Sequence, residues 1–248
     1  VFDYYAKSIV EVSRLSQSGF ENFRLGISNG RTKNTPFFPY ANFEVPLSFS
    51  VGLETLGLLI KHLQNKENLD ISNILKPFFE DLAKELQILD SFLREKSLIK
   101  YLGIDASLAP IPRTDQSIGL LYELMGINTL GNIGSLSITS KLTNLLNKSF
   151  EISSSKKAGF NGVMFSPLED DWLAKQSGSN ILSIESLMLF STVCGCGIDM
   201  VPLSGDIFSE SLSALISDVI TLSNKLVKPL GIRVLPIPGK FPNDKTAF

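Results

Sequence analysis

Residues 191–206 read STVCGCGIDMVPLSGD and contain both cysteines of the chain, Cys194 and Cys196. Mostly apolar segments flank this stretch, at 184–190 before it and at 212–226 after it. Glycine allows close backbone approach and positive φ angles, so the Cys-Gly-Cys-Gly run is typical of a tight turn. The stretch predicts an incoming helix, a turn, a short buried strand and a second turn before another helix. Its density of glycine inside an apolar frame also indicates a functional site.

The second half of the chain repeats one order of elements. A short apolar run leads into a turn that carries glycine, proline or carboxylates, and a helix follows. We expect short strands to end near four residues: Asp105, Phe165, Asp199 and Leu235. Strands that alternate with helices are typical of α/β architecture, which is the fold class that we predict.

The first half of the chain combines helical periodicity with one proline-containing loop. Two prolines three apart in residues 31–40 exclude a helix or a central strand there. The one linker-like run, residues 151–157, is more typical of a surface loop than of a domain boundary, so we predict a single α/β domain over 1–248. The hydrophobic pattern predicts a helix over 2–18, a strand over 45–53, a helix over 55–63 and a long helix from Ser72 to about Leu93.

The composition indicates a cytosolic globular protein. Of 248 residues, 44% are hydrophobic and 19% are charged, and the net charge is −2. No basic run is present, which disfavours a nucleic-acid partner. No apolar run reaches the roughly 18 uncharged residues that a membrane span needs. Because residues 1–10 show no signal peptide and two cysteines make no disulfide scaffold, we expect a cytoplasmic location and no membrane association.

Five sequence blocks recur here in an order that resembles a known family. They are GIDASLAPIP (103–112), SIGLLYELMG (117–126), GFNGVMFSPLEDD (159–171), CGCGIDMVPLSGD (194–206) and KPLGIRVLPIPGK (228–240). The segment NTPFFPYANF (34–43) is similar to a proline-phenylalanine segment upstream in that family. Over roughly residues 20 to 248, the chain resembles the domain of unknown function 711 family of bacterial and archaeal proteins.

The resemblance implies a fold more than an activity. The family is grouped with the pyruvate formate-lyase-like barrels, in which a cysteine loop enters an α/β barrel built from two halves. A barrel-like arrangement of short strands and helices is therefore expected, but function does not follow from fold. Members of the family are longer at the N-terminus, and this chain begins with Val1 rather than Met. We expect it to lack N-terminal and C-terminal parts of the family's full chain.

The Cys-X-Cys motif is the first candidate site. A closed zinc site needs about four ligands, whereas the chain offers two thiols and one histidine, His62. Cys194 fits the family block better than Cys196 and is the candidate catalytic thiol, with Gly195 and Gly197 as candidate ligand-binding positions. The alternative is a buried cysteine in a turn.

The reactivity of Cys194 depends on its surroundings. It follows the C-terminus of the helix predicted at 184–193, and the negative end of a helix dipole disfavours a thiolate. We therefore expect a raised pKa and an inert thiol, unless Arg233 or Lys240 lies within a few ångströms.

Acidic residues form the second candidate site. Strand ends converge at one rim of an α/β barrel, and oxygen ligands there bind Mg²⁺ or Ca²⁺. We take Glu169 and Asp170 as candidate metal ligands, and Asp105 and Asp199 as candidate catalytic acids. The alternative for each is helix capping, in which the carboxylate accepts hydrogen bonds from free N–H groups.

The segment 228–240 supplies three cations, Lys228, Arg233 and Lys240. A charged arginine in an apolar strand is costly unless it is paired, so we predict that Arg233 is buried and bound to Asp199 or Asp105. Arg233, Lys240 and Asp206 are also candidate ligand-binding residues.

Three functional hypotheses stay open. The first is an enzyme with a small-molecule pocket at the barrel mouth, lined by Asp105, Cys194, Asp199 and Arg233. The second is a non-catalytic, oligomeric structural protein whose glycine- and proline-rich blocks shape an interface. The third is a divalent-metal-dependent hydrolase that uses the acids. The sequence identifies no cofactor, and a homo-oligomer is expected.

Overall fold

A computed structural model of the chain describes residues 1–30, 35–38, 41, 46–64, 71–178 and 182–247. Within these residues the structure is mixed α/β. The helices are α1 (Phe2–Ser13), α2 (Thr55–Gln64), α3 (Ile71–Lys96), α4 (Ile118–Leu124), α5 (Ser135–Ser153), α6 (Asp171–Gly178), α7 (Ile184–Phe190) and α8 (Ser209–Leu226). The strands are β1 (Ile27–Asn29), β2 (Ser48–Gly52), β3 (Lys100–Asp105), β4 (Gly197–Ser204) and β5 (Leu230–Ile237). Short 3₁₀ turns occupy Phe20–Arg24, Thr114–Gln116 and Pro167–Glu169.

The strands form two small sheets. One has the order β1-β5-β4, with β4 parallel and β1 antiparallel to the central strand β5. The other is the parallel pair of β2 and β3. The α/β class is confirmed, but the described strands do not close into a barrel. The barrel-like arrangement and its pyruvate formate-lyase-like character stay predictions.

Backbone pairing connects the two sheets. β3 pairs in parallel with Lys157 through Ile104, and the chain just beyond β3 pairs with Val163 through Leu108. The carbonyl of Val163 then accepts a hydrogen bond from the N–H of Gly195, at 2.7 Å, two residues before β4. Three segments of the chain, one after β3, one after α5 and one before β4, are therefore joined to one another by backbone hydrogen bonds.

Two of the four expected strand ends are confirmed, and two are wrong. β3 ends at Asp105, and β5 ends two residues after Leu235. Asp199 is instead the third residue of β4, which continues through Pro202. An edge strand tolerates proline, and β4 lies at the edge of its sheet. Before Phe165 there is only a single bridge, and Pro167, which lacks an N–H, follows two residues later.

The predicted helices exist with shifted bounds. α1 ends at Ser13 rather than near 18, and α7 ends at Phe190 rather than at 193. α3 contains Pro77 and extends to Lys96. α5 ends at Ser153, so the first three residues of the surface loop predicted at 151–157 are helical. Residues 31–34, 39 and 40 of the predicted loop lie outside the described residues.

The core is built from large apolar and aromatic side chains. The fully buried rings include Tyr122, Phe150, Phe165 and Phe190, and the centroids of the Phe165 and Phe190 rings are 4.9 Å apart. Tyr122 pairs its buried hydroxyl with Thr139 Oγ1 at 2.5 Å. This ring cluster joins α4, α5 and α7 to the segment that follows the bridge between Leu108 and Val163. It therefore holds in place the turn that leads into β4. Among the described helices, none is long and apolar enough to span a bilayer.

Candidate functional site

A β-bulge places two residues of β4 opposite one residue of β5. Ile198 pairs with Ile232 and Val201 with Val234, so Asp199 and Met200 both face Arg233. Met200 has a φ of 53°, in the left-handed region that a residue with a Cβ rarely adopts. Such a bulge re-aims a side chain within a sheet. Here it directs the Asp199 carboxylate towards Arg233.

Arg233 and Asp199 form a two-point ion pair. Arg233 Nε donates to Asp199 Oδ1 at 2.6 Å, and Nη2 donates to Oδ2 at 2.8 Å. Their side chains are only 12% and 3% exposed. The predicted burial and pairing of Arg233 are therefore confirmed. The direct binding of a ligand by Arg233 stays a prediction, because this geometry commits two of its donors to Asp199.

Further groups complete the surroundings of the pair. Ser166 Oγ donates to Asp199 Oδ2 at 3.2 Å, and Arg233 Nη1 donates to the carbonyl of Phe23 at 3.5 Å. The Phe38 ring lies 5.3 Å from the guanidinium carbon of Arg233, close enough for a cation–π contact. Ser166 directly precedes the Pro167–Glu169 turn and makes no side-chain cap on it.

Glu169 is the titratable group beside this ion pair. It ends the Pro167–Glu169 turn, is partly buried, and its N–H donates to the carbonyl of Ser166 at 2.9 Å. Burial raises the pKa of Glu169, and the negative charge of Asp199 raises it further. The charge of Arg233 and a hydrogen bond from Ser166 oppose that rise in the pKa without cancelling it. Sequence reasoning placed Glu169 among metal ligands and missed this environment.

Both cysteines are free thiols and almost fully buried, at 2% exposure each. Their Sγ atoms each lie 4.0 Å from the carbonyl oxygen of Gly197. Lys228 Nζ donates to the carbonyl of Ser191 at 2.8 Å and to that of Cys194 at 2.5 Å. The lysine therefore clamps the backbone of the turn that carries both thiols.

The two thiols have opposite pKa shifts. The thiol of Cys196 donates to Cys194, which lowers the pKa of Cys194; burial opposes this, and the charge of Lys228 adds to it. The same pairing raises the pKa of Cys196. The expected rise in the pKa of Cys194 is therefore wrong, because the hydrogen bond from Cys196 outweighs burial and because the local cation is Lys228 rather than Arg233 or Lys240.

The glycines of the turn serve a close crossing of two chain segments. A Cβ added at Gly162 would lie 2.7 Å from the Cα of Gly195, and Gly197 has a φ of 110°. A side chain at Gly162 would clash with the backbone of Gly195, and the positive φ of Gly197 disfavours any residue with a Cβ. Ligand binding at Gly195 and Gly197 stays a prediction.

Asp105 lies in a different buried site, where it organises a loop. Its Oδ1 accepts from the N–H and hydroxyl of Ser107, at 2.8 and 2.5 Å, and from the N–H of Asn161 at 3.3 Å. Its Oδ2 accepts from the N–H of Phe160 at 2.7 Å. No hydrogen bond in the described part of the chain joins Asp105 to Arg233. The structure therefore brings Asp199, Arg233 and Glu169 together and holds Asp105 elsewhere.

Asp170 caps two helices at once. Its Oδ2 accepts from the N–H groups of Ile118 and Gly119 at the start of α4, at 2.6 and 3.4 Å. Its Oδ1 accepts from the N–H groups of Trp172 and Leu173 at the start of α6, at 3.0 and 3.3 Å, and from the Ser117 hydroxyl at 2.8 Å. Five donors therefore surround its two oxygens. Among the described residues, no group of three His, Cys, Asp or Glu side chains is arranged to hold a metal ion.

The remaining candidates, Lys240 and Asp206, lie at the turn after β4. The carbonyl of Lys240 accepts from the N–H of Gly205 at 3.0 Å. Asp206 is exposed and accepts a hydrogen bond from Ser204 Oγ. Their observed contacts connect the ends of β4 and β5, and their ligand-binding roles stay predictions.

Known proteins from archaea and bacteria match most of this chain. A UPF0210 protein of Pyrobaculum aerophilum is 23% identical over 227 residues, which are 89% of this chain and 51% of that protein. A UPF0210 protein of Caldicellulosiruptor saccharolyticus is 28% identical over 204 residues, covering 81% and 45%. A UPF0210 protein of Clostridium perfringens is 25% identical over 248 aligned residues, covering 98% and 55%.

The chain spans about half the length of the curated relatives it matches. The family described as Uncharacterised ACR (DUF711) matches residues 2–248, and the chain belongs to this family.

Proposed function

We propose that the chain contributes a small-molecule site of an enzyme in which Glu169 exchanges a proton with the bound substrate. The observation that carries this proposal is the position of Glu169 beside the Arg233–Asp199 pair, where burial and Asp199 raise its pKa. A raised carboxyl pKa keeps the proton available at a pH closer to neutral, which is what a general acid or base needs.

The surrounding residues support this role without taking part in proton exchange. Arg233 is a positioning residue, because its N–H donors hold the Asp199 carboxylate in place. The negative charge of Asp199 in turn raises the pKa of Glu169. Glu169 itself is only partly buried, so part of the residue faces solvent. Phe38, 45% exposed and close to the guanidinium group, supplies an apolar face beside the same site.

Two alternatives carry less support. A divalent-metal-dependent hydrolase needs free oxygen ligands, and Asp170 already accepts five hydrogen bonds. A non-catalytic, oligomeric structural protein needs no perturbed carboxyl group, although the same burial and the same Asp199 charge would raise the pKa of Glu169 in it too. The titration therefore tests the environment of Glu169, and binding of a ligand at Glu169 separates the enzyme from the structural protein.

The test is an NMR titration of the protein with ¹³C-labelled glutamate side chains, with Glu169→Gln used to assign the signal. We expect the midpoint of Glu169 to lie above the ordinary value of about 4.3. Asp199→Asn should lower this midpoint, and the exposed Asp206→Asn, the matched control, should leave it unchanged. A midpoint at or below the ordinary value would remove the basis of the proposal.

A ligand screen completes the test. Small polar compounds added to the labelled protein should include some that shift the Glu169 signal and that lose affinity in Glu169→Gln. If no compound shifts that signal in wild-type protein, the structural alternative is favoured.

A further inference from the structure

A second candidate site lies at the other sheet, in a groove of about 1170 Å³ between α2, α3 and the turn at 113–116. Leu53 and Glu54, which follow β2 directly, form part of its wall. The N–H of Leu53 donates to the carbonyl of Asp105 at 2.8 Å, so this wall stands at the carboxyl end of the parallel pair β2–β3. That end of parallel strands is where α/β proteins commonly bind ligands.

The long wall of the groove is apolar and exposed. Leu58 of α2 and Ile88 and Phe92 of α3 line it and are 58%, 64% and 57% exposed. Phe78 and Leu89 line the same wall and pack against the core. Large apolar side chains that share one concave surface indicate a binding site rather than scattered surface residues.

Two polar side chains that line the groove each bury one oxygen atom that has no hydrogen-bond partner among the described residues. Thr55 and Gln116 line the groove and are only 1% and 6% exposed. Within the described residues, neither Thr55 Oγ1 nor Gln116 Oε1 has a hydrogen-bond partner. Buried polar atoms are normally paired, because burial without a partner is costly. These two atoms therefore point to a ligand that supplies hydrogen bonds.

The orientation of the Gln116 amide is fixed. Its Nε2 donates to Glu54 Oε2 at 3.0 Å, and only the NH₂ side of an amide can donate to a carboxylate. Gly57 leaves room for the side chain, since a Cβ there would lie 3.1 Å from Gln116 Cδ. Oε1 is therefore held in place as an acceptor before any ligand arrives.

The charges around the groove favour a cation. Its described lining includes four carboxylates and two permanent cations: Glu54, Asp81, Glu85 and Asp115 against Lys61 and Arg113. Arg113 is committed to Asp115, with Nε to Oδ1 at 3.1 Å and Nη2 to Oδ2 at 2.9 Å. Asp81 is likewise paired with Lys84, at 2.7 Å, so the negative field rests on Glu54 and Glu85 against Lys61. Fixed acceptors in a negative field select a ligand with positively charged N–H donors.

We propose that this groove binds an amphipathic amine. Its ammonium group donates to Gln116 Oε1 and Thr55 Oγ1, and its aliphatic chain lies along Leu58, Ile88 and Phe92. This site is independent of the acid–base site, because Glu169, Asp199 and Arg233 are not among its described lining residues.

The test compares three probes with one chain length and different head groups: n-octylamine, n-octanoate and 1-octanol. Calorimetric titration of the wild-type protein at pH 7 should give a dissociation constant for octylamine at least tenfold lower than for the other two. Phe92→Ala should weaken the binding of all three probes. Equal binding of the probes, preference for octanoate, or no binding would each overturn the proposal.

Two variants test the head-group contacts. Thr55→Val and Gln116→Leu should each remove most of the preference for octylamine, whereas the exposed Thr221→Val and Gln87→Leu should keep it. Thr55→Val should also melt no lower than wild type, because its hydroxyl loses no partner. A lower melting temperature would show that the hydroxyl is bonded within the fold, and that result would overturn the assignment of Thr55.

Discussion

Arg233 and Asp199 are held together by a bulge in β4, with hydrogen bonds of 2.6 and 2.8 Å between side chains that are almost fully buried. The extra residue of the bulge, Met200, adopts a left-handed backbone conformation. Such strain persists where surrounding contacts over-determine it. The ion pair is one such contact. Asp199 faces Arg233 only when the bulge is formed, so the ion pair stabilises the strained conformation of Met200.

Removal of Arg233 should therefore destabilise the protein strongly. We expect Arg233→Met to lower the free energy of unfolding by about 3–5 kcal/mol, because it leaves the Asp199 carboxylate buried without its cation. The measurement is urea denaturation followed by circular dichroism. As a control, Lys84→Met removes the cation of an exposed pair with Asp81 and should change stability little. Similar small losses in both variants would show that the buried pair contributes no more than a surface pair.

The double cap at Asp170 gives a second prediction. Asp170→Ala removes the acceptor from the first turns of both α4 and α6, and each cap contributes about 1 kcal/mol, so we expect a loss of about 2 kcal/mol. Asp171→Ala, which changes the neighbouring exposed carboxylate, is the matched control and should cost clearly less. If Mg²⁺ or Ca²⁺ stabilised wild-type protein but not Asp170→Ala, the metal-ligand hypothesis for Asp170 would be favoured over capping.

Local sequence patterns explain which parts of this structure could be predicted. The spacing of apolar residues predicted α2 and β3. The free-energy cost of burying an unpaired charge predicted that Arg233 has a carboxylate partner. The double cap was not predictable, because Asp170 and Ile118 are 52 residues apart. The clamp of Lys228 on Cys194 likewise spans 34 residues. β4 was predicted too short because the sequence does not show that this strand lies at a sheet edge, where Pro202 is tolerated.

A third prediction concerns the loop that Asp105 holds. A Cβ at Gly159 would lie 2.0 Å from Asp105 Oδ2, and the φ of Gly159 is +77°. Gly126 has a similar φ of +81°, but a Cβ added there would meet no atom within 4 Å. Gly126→Ala should therefore cost about 1–2 kcal/mol for its backbone alone. Gly159→Ala should cost at least about 2 kcal/mol more, because it also displaces a hydrogen-bonded buried carboxylate. Equal losses in thermal denaturation would contradict this role of Asp105.

Glu169 makes stability depend on pH in a defined direction. Burial and Asp199 raise its pKa in the folded protein, so folding favours the protonated form. Its contribution is fully present below about pH 4.3, the unfolded value, and is lost as the pH rises through the folded pKa. We expect the unfolding free energy of wild type, relative to Glu169→Gln, to fall as the pH rises above the unfolded value of about 4.3. Glu151→Gln is the control, and a difference that rises with pH would contradict the raised pKa.

The last prediction concerns the reactivity of Cys194, for which burial and charge act in opposite directions. Its lowered pKa favours the thiolate, but only 2% of the residue is exposed, so iodoacetamide can reach it only when the turn opens. We expect slow labelling of native protein at neutral pH, measured by peptide mapping. Lys228→Met should speed the labelling, because it releases the carbonyls of Ser191 and Cys194. Lys225→Met, which changes an exposed lysine of α8, should leave the rate unchanged. Rapid labelling of wild type that Lys228→Met slows would instead identify an accessible, activated thiolate and favour a catalytic role for Cys194.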